Sequence, residues 1–174
     1  NKGIYFAGAG GLFSYYLGIA KYIQENYNLE NVFFSGESAG SIAAVAISCE
    51  LLNENCIEDS IFPCLKIIRE NNKKEKAFLQ EGLLGSEWVN DFKKVLGEKI
   101  LKTNNFEKIN RKCSILITKL DNFEIKGEYI DKWDSIEDLL NCVVSSCWLP
   151  LIFGKVSNSF RNNEWIDGGI SKLL

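Results

Sequence analysis

The sequence predicts a single domain of the α/β class, in which helices cover both faces of a central, mainly parallel sheet. Near the N-terminus a short apolar segment, a glycine-rich loop and a helical pattern follow one another, and the same order then repeats once. Two consecutive strand-loop-helix units place their strands in parallel with helices on the faces of the sheet. With 174 residues, of which 46% are hydrophobic, the chain can build one sizeable core. We therefore expect a three-layer α/β/α architecture.

The two N-terminal units supply the first strands and helices of this fold. Each apolar strand is closed by glycines, and each helix shows apolar residues at helical spacing. The predicted elements are a strand at 4–7, a helix at 17–27, a strand at 31–35, a tight turn at 36–40 and a helix at 42–52.

The remainder is predicted to contain a helical insertion, a hairpin and the C-terminal strands. Segment 57–102 has a mostly helical pattern interrupted by Pro and Gly, and we expect it to form a cap or insertion within a single domain spanning 1–174. The elements predicted after it are strands at 113–120 and 123–130 joined as a hairpin at Asp121-Asn122, a helix with a capping signature from Ser135 to Leu149, and short strands at 152–153 and 165–166.

Composition and charge exclude several classes of function. Twenty basic and 23 acidic residues give a net charge of −3 with no basic stripe, so no nucleic-acid partner is expected. No apolar run reaches the ~20 residues of a membrane-spanning helix. Six cysteines without a CxxC pair favour free thiols in a reducing, cytoplasmic setting. The absence of His leaves no Ser-His-Asp triad and no His-ligated metal within the chain, and no cofactor is expected.

Residues Gly36-Glu37-Ser38-Ala39-Gly40 match the nucleophile-elbow pattern G-x-S-x-G. In an elbow, a strand turns sharply into a helix and exposes the central Ser, and this motif stands between a predicted strand and an apolar helix. A helix N-terminus also favours the negative charge of an alkoxide or an oxyanion. Ser38 is therefore the candidate nucleophile, with an ordinary Gly-Ser turn as the competing interpretation.

The glycines at the end of the first predicted strand form a second candidate loop. Gly8, Gly10 and Gly11 can bring backbone N–H groups beside the elbow and so provide an oxyanion hole. The loop is not a dinucleotide-binding fingerprint, because Phe13 stands where the third glycine of G-x-G-x-x-G is needed.

Without His, the base for a serine nucleophile must be a carboxylate. Asp167 is the candidate, because it follows a predicted strand and precedes Gly168 and Gly169, which let other backbone approach. Taken singly, an Asp-Gly pair is also a common turn. Three glycine-rich loops that can offer donors, a nucleophile and a base favour a catalytic site.

The three motifs together resemble the patatin-like phospholipase family. Its pattern is a glycine-rich oxyanion loop, a G-x-S-x-G elbow and a late Asp-Gly-Gly or Asp-Gly-Ala motif. The similarity runs from Gly3 to Gly169 and includes the helix after the glycine loop (15–19) and a Ser-rich stretch ending in Pro (145–150). The glycine loop departs from the family pattern, which usually has a basic residue followed by Gly where this chain has Leu12 and Phe13.

The resemblance implies a function as well as the three-layer fold. It implies hydrolysis of fatty acyl esters, of the phospholipase A or lysophospholipase type, through a dyad of Ser38 and Asp167 and an acyl-enzyme. Gly8, Gly10 and Gly11 would form the oxyanion hole, and no cofactor is implied. The expected partner is a phospholipid or another fatty acyl ester at a membrane or lipid-aggregate surface.

Three alternatives remain open. An α/β-hydrolase could place its His beyond Leu174, with Asp167 as the acid partner, because the chain ends soon after the Asp motif and a C-terminal extension could be missing. The chain also begins at Asn1 and contains no Met, so its N-terminus could be truncated as well. An acyltransferase could use the same site with an acceptor other than water. The altered glycine loop also leaves open a catalytically inactive lipid-binding or scaffold domain.

Overall fold

A computed structural model describes residues 2–52, 85–121, 124–150 and 152–173 of the chain. The strands are β1 (Lys2–Phe6), β2 (Val32–Glu37), β3 (Cys113–Asp121), β4 (Glu124–Ile130), β5 (Asn158–Phe160) and β6 (Asn163–Ile166). The helices are α1 (Phe13–Asn26), α2 (Ala39–Ser48), α3 (Gly85–Thr103), α4 (Phe106–Lys112) and α5 (Ile136–Ser146). Two 3-10 turns span Gly10–Leu12 and Gly168–Lys172.

The described strands form one mixed sheet in the order β1-β2-β3-β6-β5, with β4 also paired to β3. The first three strands are parallel, as the repeated N-terminal units predict. Strands β4 and β6 run antiparallel to β3, and β5 runs antiparallel to β6. The predicted hairpin is confirmed as the antiparallel pair of β3 and β4.

The long strand β3 explains how the carboxyl ends of β2 and β6 meet. Strand β2 pairs with residues 113–116 of β3, and β6 pairs with residues 118–120. Both pair along the edge that β4 leaves free, since β4 pairs with residues 115–121 on the other edge. Because β2 and β6 run in opposite directions on this shared edge, the loops that follow them lie side by side.

Helical structure covers both faces of the sheet. On one face, the backbone of α2 approaches Gly36 of β2 closely. The opposite face carries the 3-10 turn at Gly168–Lys172, whose Ser171 side chain lies over Gly127 of β4. These two glycines belong to opposite faces because side chains alternate along paired strands, and the predicted three-layer α/β/α class is confirmed.

The core lies between the sheet and the helical layer that contains α2. All ten residues of α2 are buried, which its almost continuous apolar sequence requires. Apolar side chains of β2, β3 and α5 pack in the same cluster, among them Phe34, Ile115 and Val143. Within the described residues, no helix is long and apolar enough to cross a membrane.

Several predicted boundaries differ from the structure. Helix α1 begins before the predicted residue 17, α2 starts and ends earlier than the predicted 42–52, and α5 ends before Leu149. The strand predicted at 152–153 is wrong, because Ile152 and Phe153 lie in a turn and the edge strand is β5 instead. The apolar side chain of Phe153 packs on Trp148, with the ring centroids 5.0 Å apart, and does not belong to a sheet.

The predicted cap and some cysteines fall partly outside the described residues. Within the predicted 57–102 segment, residues 57–84 lie outside them and residues 85–102 belong to α3, so the cap and the single-domain organisation stay predictions. The described cysteines are free thiols, as predicted: Cys49, Cys113, Cys142 and Cys147. Cys56 and Cys64 lie outside the described residues.

Candidate active site

Ser38 lies at the sharp junction between β2 and α2. Its backbone has φ 51° and ψ −133°, a left-handed conformation that is strained for a residue other than Gly. The flanking glycines permit the turn, because a Cβ on Gly36 would meet the Gly40 carbonyl and a Cβ on Gly40 would meet the Phe6 carbonyl. This is the strand-turn-helix setting that the G-x-S-x-G motif needs.

The backbone of Ser38 is held by a neighbour from α5. The Ser38 N–H donates to Ser146 Oγ at 2.9 Å, and the Ser146 hydroxyl donates to the Leu116 carbonyl at 2.7 Å. On the helix side, the Ser41 hydroxyl donates to the Ser38 carbonyl at 2.6 Å. The Ser38 residue is only 7% exposed, and its N–H and its carbonyl are both held by hydrogen bonds.

Asp167 caps the 3-10 turn that follows β6 and is 5% exposed. Its N–H donates to the Trp148 carbonyl at 2.8 Å, and its carbonyl accepts from Thr118 Oγ1 at 2.8 Å. In the side chain, Oδ1 accepts the Gly169 N–H at 2.9 Å. The backbone and one carboxylate oxygen are therefore fixed, which orients the second oxygen, Oδ2.

The second carboxylate oxygen, Oδ2, differs from Oδ1 in its hydrogen bonding. Oδ2 is buried, and among the described residues no donor meets it in full hydrogen-bond geometry. Burial raises the pKa of Asp167, the Ser38 hydroxyl and the Gly169 N–H lower it by hydrogen bonding, and the charge of Glu37 raises it, with a net increase. A buried carboxylate with a raised pKa beside Ser38 has the chemistry of a proton acceptor.

The glycine loop after β1 lies against the elbow. The ideal Cβ position of Gly8 is 3.4 Å from Ser38 Cβ, an ordinary van der Waals distance that places this loop directly against the serine. Gly10, with φ +51°, begins the 3-10 turn, and the ideal Cβ positions of Gly10 and Gly11 have no other atom within 4 Å. Their N–H groups are in the first turn, where no intrahelical acceptor is available.

Two residues of this region are not identified by the sequence motifs. Ser146 belongs to the Ser-rich stretch noticed in the sequence, but its bond to Ser38 joins residues 108 positions apart. Glu37 occupies a variable position of the elbow motif, yet its side chain is buried and accepts the Gly8 N–H at 3.3 Å. The only sequence signal for Glu37 is a carboxylate placed between an apolar strand and an apolar helix. Among the described residues, no cluster of His, Cys, Asp or Glu is arranged to hold a metal ion.

Comparison with known proteins matches nearly the whole chain to one family. The family model described as "Patatin-like phospholipase" matches residues 4–172. The mouse protein 1-acylglycerol-3-phosphate O-acyltransferase Pnpla3 is 25% identical over 169 residues, which cover 95% of this chain and 38% of that protein. Human patatin-like phospholipase domain-containing protein 2 is 26% identical over 176 residues, which cover 98% of this chain and 32% of that protein.

This chain spans about a third of the length of the curated relatives it matches. Among solved structures, VipD from Legionella pneumophila matches with a TM-score of 0.47 and 17% sequence identity, covering 97% of this chain and 46% of that one. The family match, which extends from the glycine loop through the elbow to the Asp motif, is the finding that assigns the chain. The chain belongs to the patatin-like phospholipase family.

Proposed function

We propose that this chain is the catalytic part of a lipid acyl hydrolase of the phospholipase A or lysophospholipase type. In this proposal Ser38 is the nucleophile and Asp167 is the only base. The observation that supports it most is the buried Asp167 carboxylate, which interacts with the hydroxyl of the strained Ser38. Its raised pKa, and an Oδ2 that no described residue meets as an aligned donor, suit proton transfer from that hydroxyl. The family match supports a lipid ester as the substrate class.

The chemistry proceeds through an acyl-enzyme. Ser38 Oγ attacks the ester carbonyl carbon while its proton moves to Asp167. The tetrahedral oxyanion then collapses, the bond to the alcohol oxygen breaks, and that oxygen takes the proton from Asp167. Water attacks the acyl-enzyme in the same way, with Asp167 as base, and releases the fatty acid and free Ser38.

In this proposal the oxyanion is stabilised by hydrogen bonds from backbone N–H groups at the starts of two helical segments. Ala39 begins α2, whose first turn carries no acidic residue, and Gly10 and Gly11 begin the 3-10 turn. Gly8 contributes differently in this proposal, because its N–H already donates to Glu37. Its backbone lies next to Ser38, since its ideal Cβ position is in van der Waals contact with Ser38 Cβ.

The substrate is expected to come from a membrane or a lipid aggregate. Tyr15, in the first turn of the helix that follows the glycine loop, is 66% exposed. An exposed aromatic side chain beside the site can bind at a lipid-water interface, since its ring is apolar and its hydroxyl remains hydrated. We propose peripheral binding to such a surface. The cytoplasmic setting stays a prediction from the free thiols.

Acyl transfer is a second candidate function. The mouse relative is named as an O-acyltransferase, and the acyl-enzyme proposed here could pass its acyl group to an acceptor hydroxyl in place of water. Adding an acylglycerol-3-phosphate to the reaction separates the two outcomes, because transfer yields a diacyl product and hydrolysis yields only fatty acid.

The decisive experiment measures turnover and covalent labelling in matched variants. Phospholipids and neutral esters are offered, and released fatty acid and the intact mass of the protein are recorded. Ser38→Ala and Asp167→Asn should each lower kcat/KM by about 10³-fold or more, because each removes a group needed for the chemical step. The exposed residues Ser159 and Asp131 provide the controls Ser159→Ala and Asp131→Asn, which should retain activity.

Each of the other outcomes supports a different mechanism or function for this chain. Turnover that survives Ser38→Ala removes the serine mechanism. A chain that becomes active only with an added His-containing C-terminal extension is an α/β-hydrolase with a triad. If the wild type neither turns over esters nor reacts with a fluorophosphonate probe, it is a lipid-binding or scaffold domain.

A further inference from the structure

Glu37, the residue before Ser38, is a buried charge that the proposed chemistry does not use. Its side chain is 7% exposed, and Oε1 accepts the Gly8 N–H at 3.3 Å. Lys172 Nζ lies 2.8 Å from Oε2, in an ion-pair contact without an aligned hydrogen bond. The Tyr5 hydroxyl also interacts with the carboxylate, and Lys172 Nζ contacts that hydroxyl and lies 4.0 Å from the Tyr5 ring centroid.

The loop that carries Asp167 packs on the same side chain. The ideal Cβ position of Gly168 lies 3.2 Å from Glu37 Cβ. The ideal Cβ position of Gly169 lies 3.8 Å from Glu37 Oε1 and 3.2 Å from Asp167 Oδ1. One oxygen of each carboxylate therefore lies within 4 Å of the ideal Cβ position of the same glycine, Gly169.

We propose that Glu37 is a positioning residue that holds the Gly8 loop, strand β1 and the Asp167 loop around Ser38. This inference rests on the proposed hydrolase function. A buried charge that loses its partners is costly, so the carboxylate retains Gly8, Tyr5 and Lys172 together as a unit. The loop of Gly8 carries the proposed oxyanion donors. Strand β1, which contains Tyr5, supports the elbow, and Lys172 ends the 3-10 turn that follows Asp167.

The same arrangement has an electrostatic consequence for the base. Burial alone raises the pKa of Glu37, but Lys172, Tyr5 and the Gly8 N–H outweigh it, and the net pKa is lowered. Glu37 is therefore negative at neutral pH, and its charge adds to burial in raising the pKa of Asp167. A nearby like charge disfavours ionisation of the more weakly stabilised carboxylate.

Among the described residues, Tyr5, Cys147 and Lys172 are the other titratable groups that face the two carboxylates. Burial, followed by Glu37, raises the pKa of Tyr5, and Tyr129 of β4 faces Tyr5. Cys147, which follows α5, faces Asp167, and burial raises its pKa to about 12. Lys172 is the cation of the group. Near neutral pH, Glu37 is thus the negative charge that acts on Asp167 among these neighbours.

Two substitutions separate the hydrogen bond from the charge. Glu37→Gln keeps an oxygen that can accept the Gly8 N–H but removes the charge. The acidic limb of kcat/KM should therefore move to lower pH, while the plateau stays within about tenfold of the wild type. Glu37→Ala removes both, and kcat should fall about 10²-fold with little change in KM, because misplaced donors act on the transition state. Glu25→Gln is the matched control, since Glu25 is exposed and ion-paired to Lys21 at 2.6 Å; its profile should equal the wild type.

Three results would overturn the proposal: a Glu37→Gln pH profile that superimposes on the wild type, wild-type kcat in folded Glu37→Ala, or a Gly8 amide resonance that does not respond to the titration of Glu37. Thermal unfolding verifies that each variant folds. If Glu37→Ala does not fold, the pH profile of Glu37→Gln alone tests the proposal. The Gly8 amide resonance adds a measurement independent of activity. It should shift as Glu37 titrates in the wild type and lose that shift in Glu37→Gln. A wild type that neither hydrolyses esters nor reacts with the probe would contradict the proposed function. A Gly8 amide resonance that does not shift as Glu37 titrates would contradict this inference alone.

Discussion

At the residue scale, the candidate site contains groups that are unfavourable for folding. Ser38 has a backbone conformation that costs about 1–3 kcal/mol for a residue other than Gly. Asp167 buries a carboxylate oxygen without an aligned donor among the described residues. Such features persist when the surrounding structure holds them, and here Ser146, Thr118 and Gly169 hold the two residues by hydrogen bonds. Stability has been lost at the positions where reactivity is proposed.

Asp167→Asn should therefore inactivate the protein and also stabilise it at pH 7. The folded state raises the pKa of Asp167, so ionisation opposes folding above the ordinary Asp pKa. A neutral amide removes this penalty. The gain should disappear towards about pH 3, where the carboxyl is protonated in both states. Urea unfolding followed by circular dichroism at several pH values measures it.

Asp138→Asn provides the matched control for this sign. The hydrogen bond from Arg161 lowers the pKa of Asp138, so its ionised form supports folding above the ordinary Asp pKa, and that support is lost as pH falls through the lowered pKa. At pH 7 the Asp138 variant should be less stable and the Asp167 variant more stable. A decrease in both would contradict the account of Asp167.

At the element scale, α5 links the two halves of the site. Its C-terminal end carries Ser146, which holds the Ser38 backbone. At its N-terminal end, Ser135 Oγ accepts the Asp138 N–H at 3.1 Å, and Asp138 Oδ1 accepts Arg161 Nε at 3.0 Å. Because Arg161 lies in the turn between β5 and β6, this cap ties the helix to the hairpin that leads to Asp167.

Ser135→Ala should lower the free energy of unfolding by about 1 kcal/mol, the usual cost of losing an N-cap side chain. The exposed Ser159 on β5 provides the control Ser159→Ala, which should change stability by less than about 0.5 kcal/mol. Denaturant midpoints measured at equal m values test both. Equal midpoints for Ser135→Ala and the wild type would mean that the cap seen here does not stabilise the helix.

At the scale of the whole molecule, the sheet topology brings the three loops together. The loops after β1 and β2 are neighbours because these strands are parallel. The loop after β6 joins them because β6 runs antiparallel on the second half of β3 and ends beside the end of β2. The glycine loop, the elbow and the Asp motif therefore lie together at the place in the sheet where β1, β2 and β6 terminate. The start of α1 lies next to them.

This placement predicts a surface effect on lipid substrates. Tyr15→Ser should lower activity on micelles or vesicles about tenfold, the effect of losing one aromatic ring from the interface, and leave hydrolysis of a dissolved short ester unchanged. Tyr27→Ser is the matched control. Tyr27 is 62% exposed and follows the other end of α1, about 18 Å away along the helix axis. Equal losses in both variants, or equal rates on monomers and aggregates, would contradict interfacial binding through this end of α1.

The local features of this protein could be predicted from the sequence because they depend on short-range geometry. Gly36 and Gly40 around Ser38 predict the elbow, since only residues without a Cβ tolerate such close backbone contacts. The alternation of strand, glycine loop and helix predicts the parallel strands β1 and β2. The strand predicted at 152–153 was wrong, because an apolar pair of residues can pack in the core without forming a strand.

The sequence alone determined the fold class, the family and the candidates Ser38, Asp167 and the glycine loop, all of which depend on neighbouring residues. Only the tertiary structure decided what meets them. It brought Ser146 to the Ser38 backbone, Lys172 and Gly8 to Glu37, and Asp167 to the end of β2. The physical reason is that strand direction and long-range hydrogen bonds depend on how distant segments pack together, and the spacing of residues along the chain does not encode those contacts.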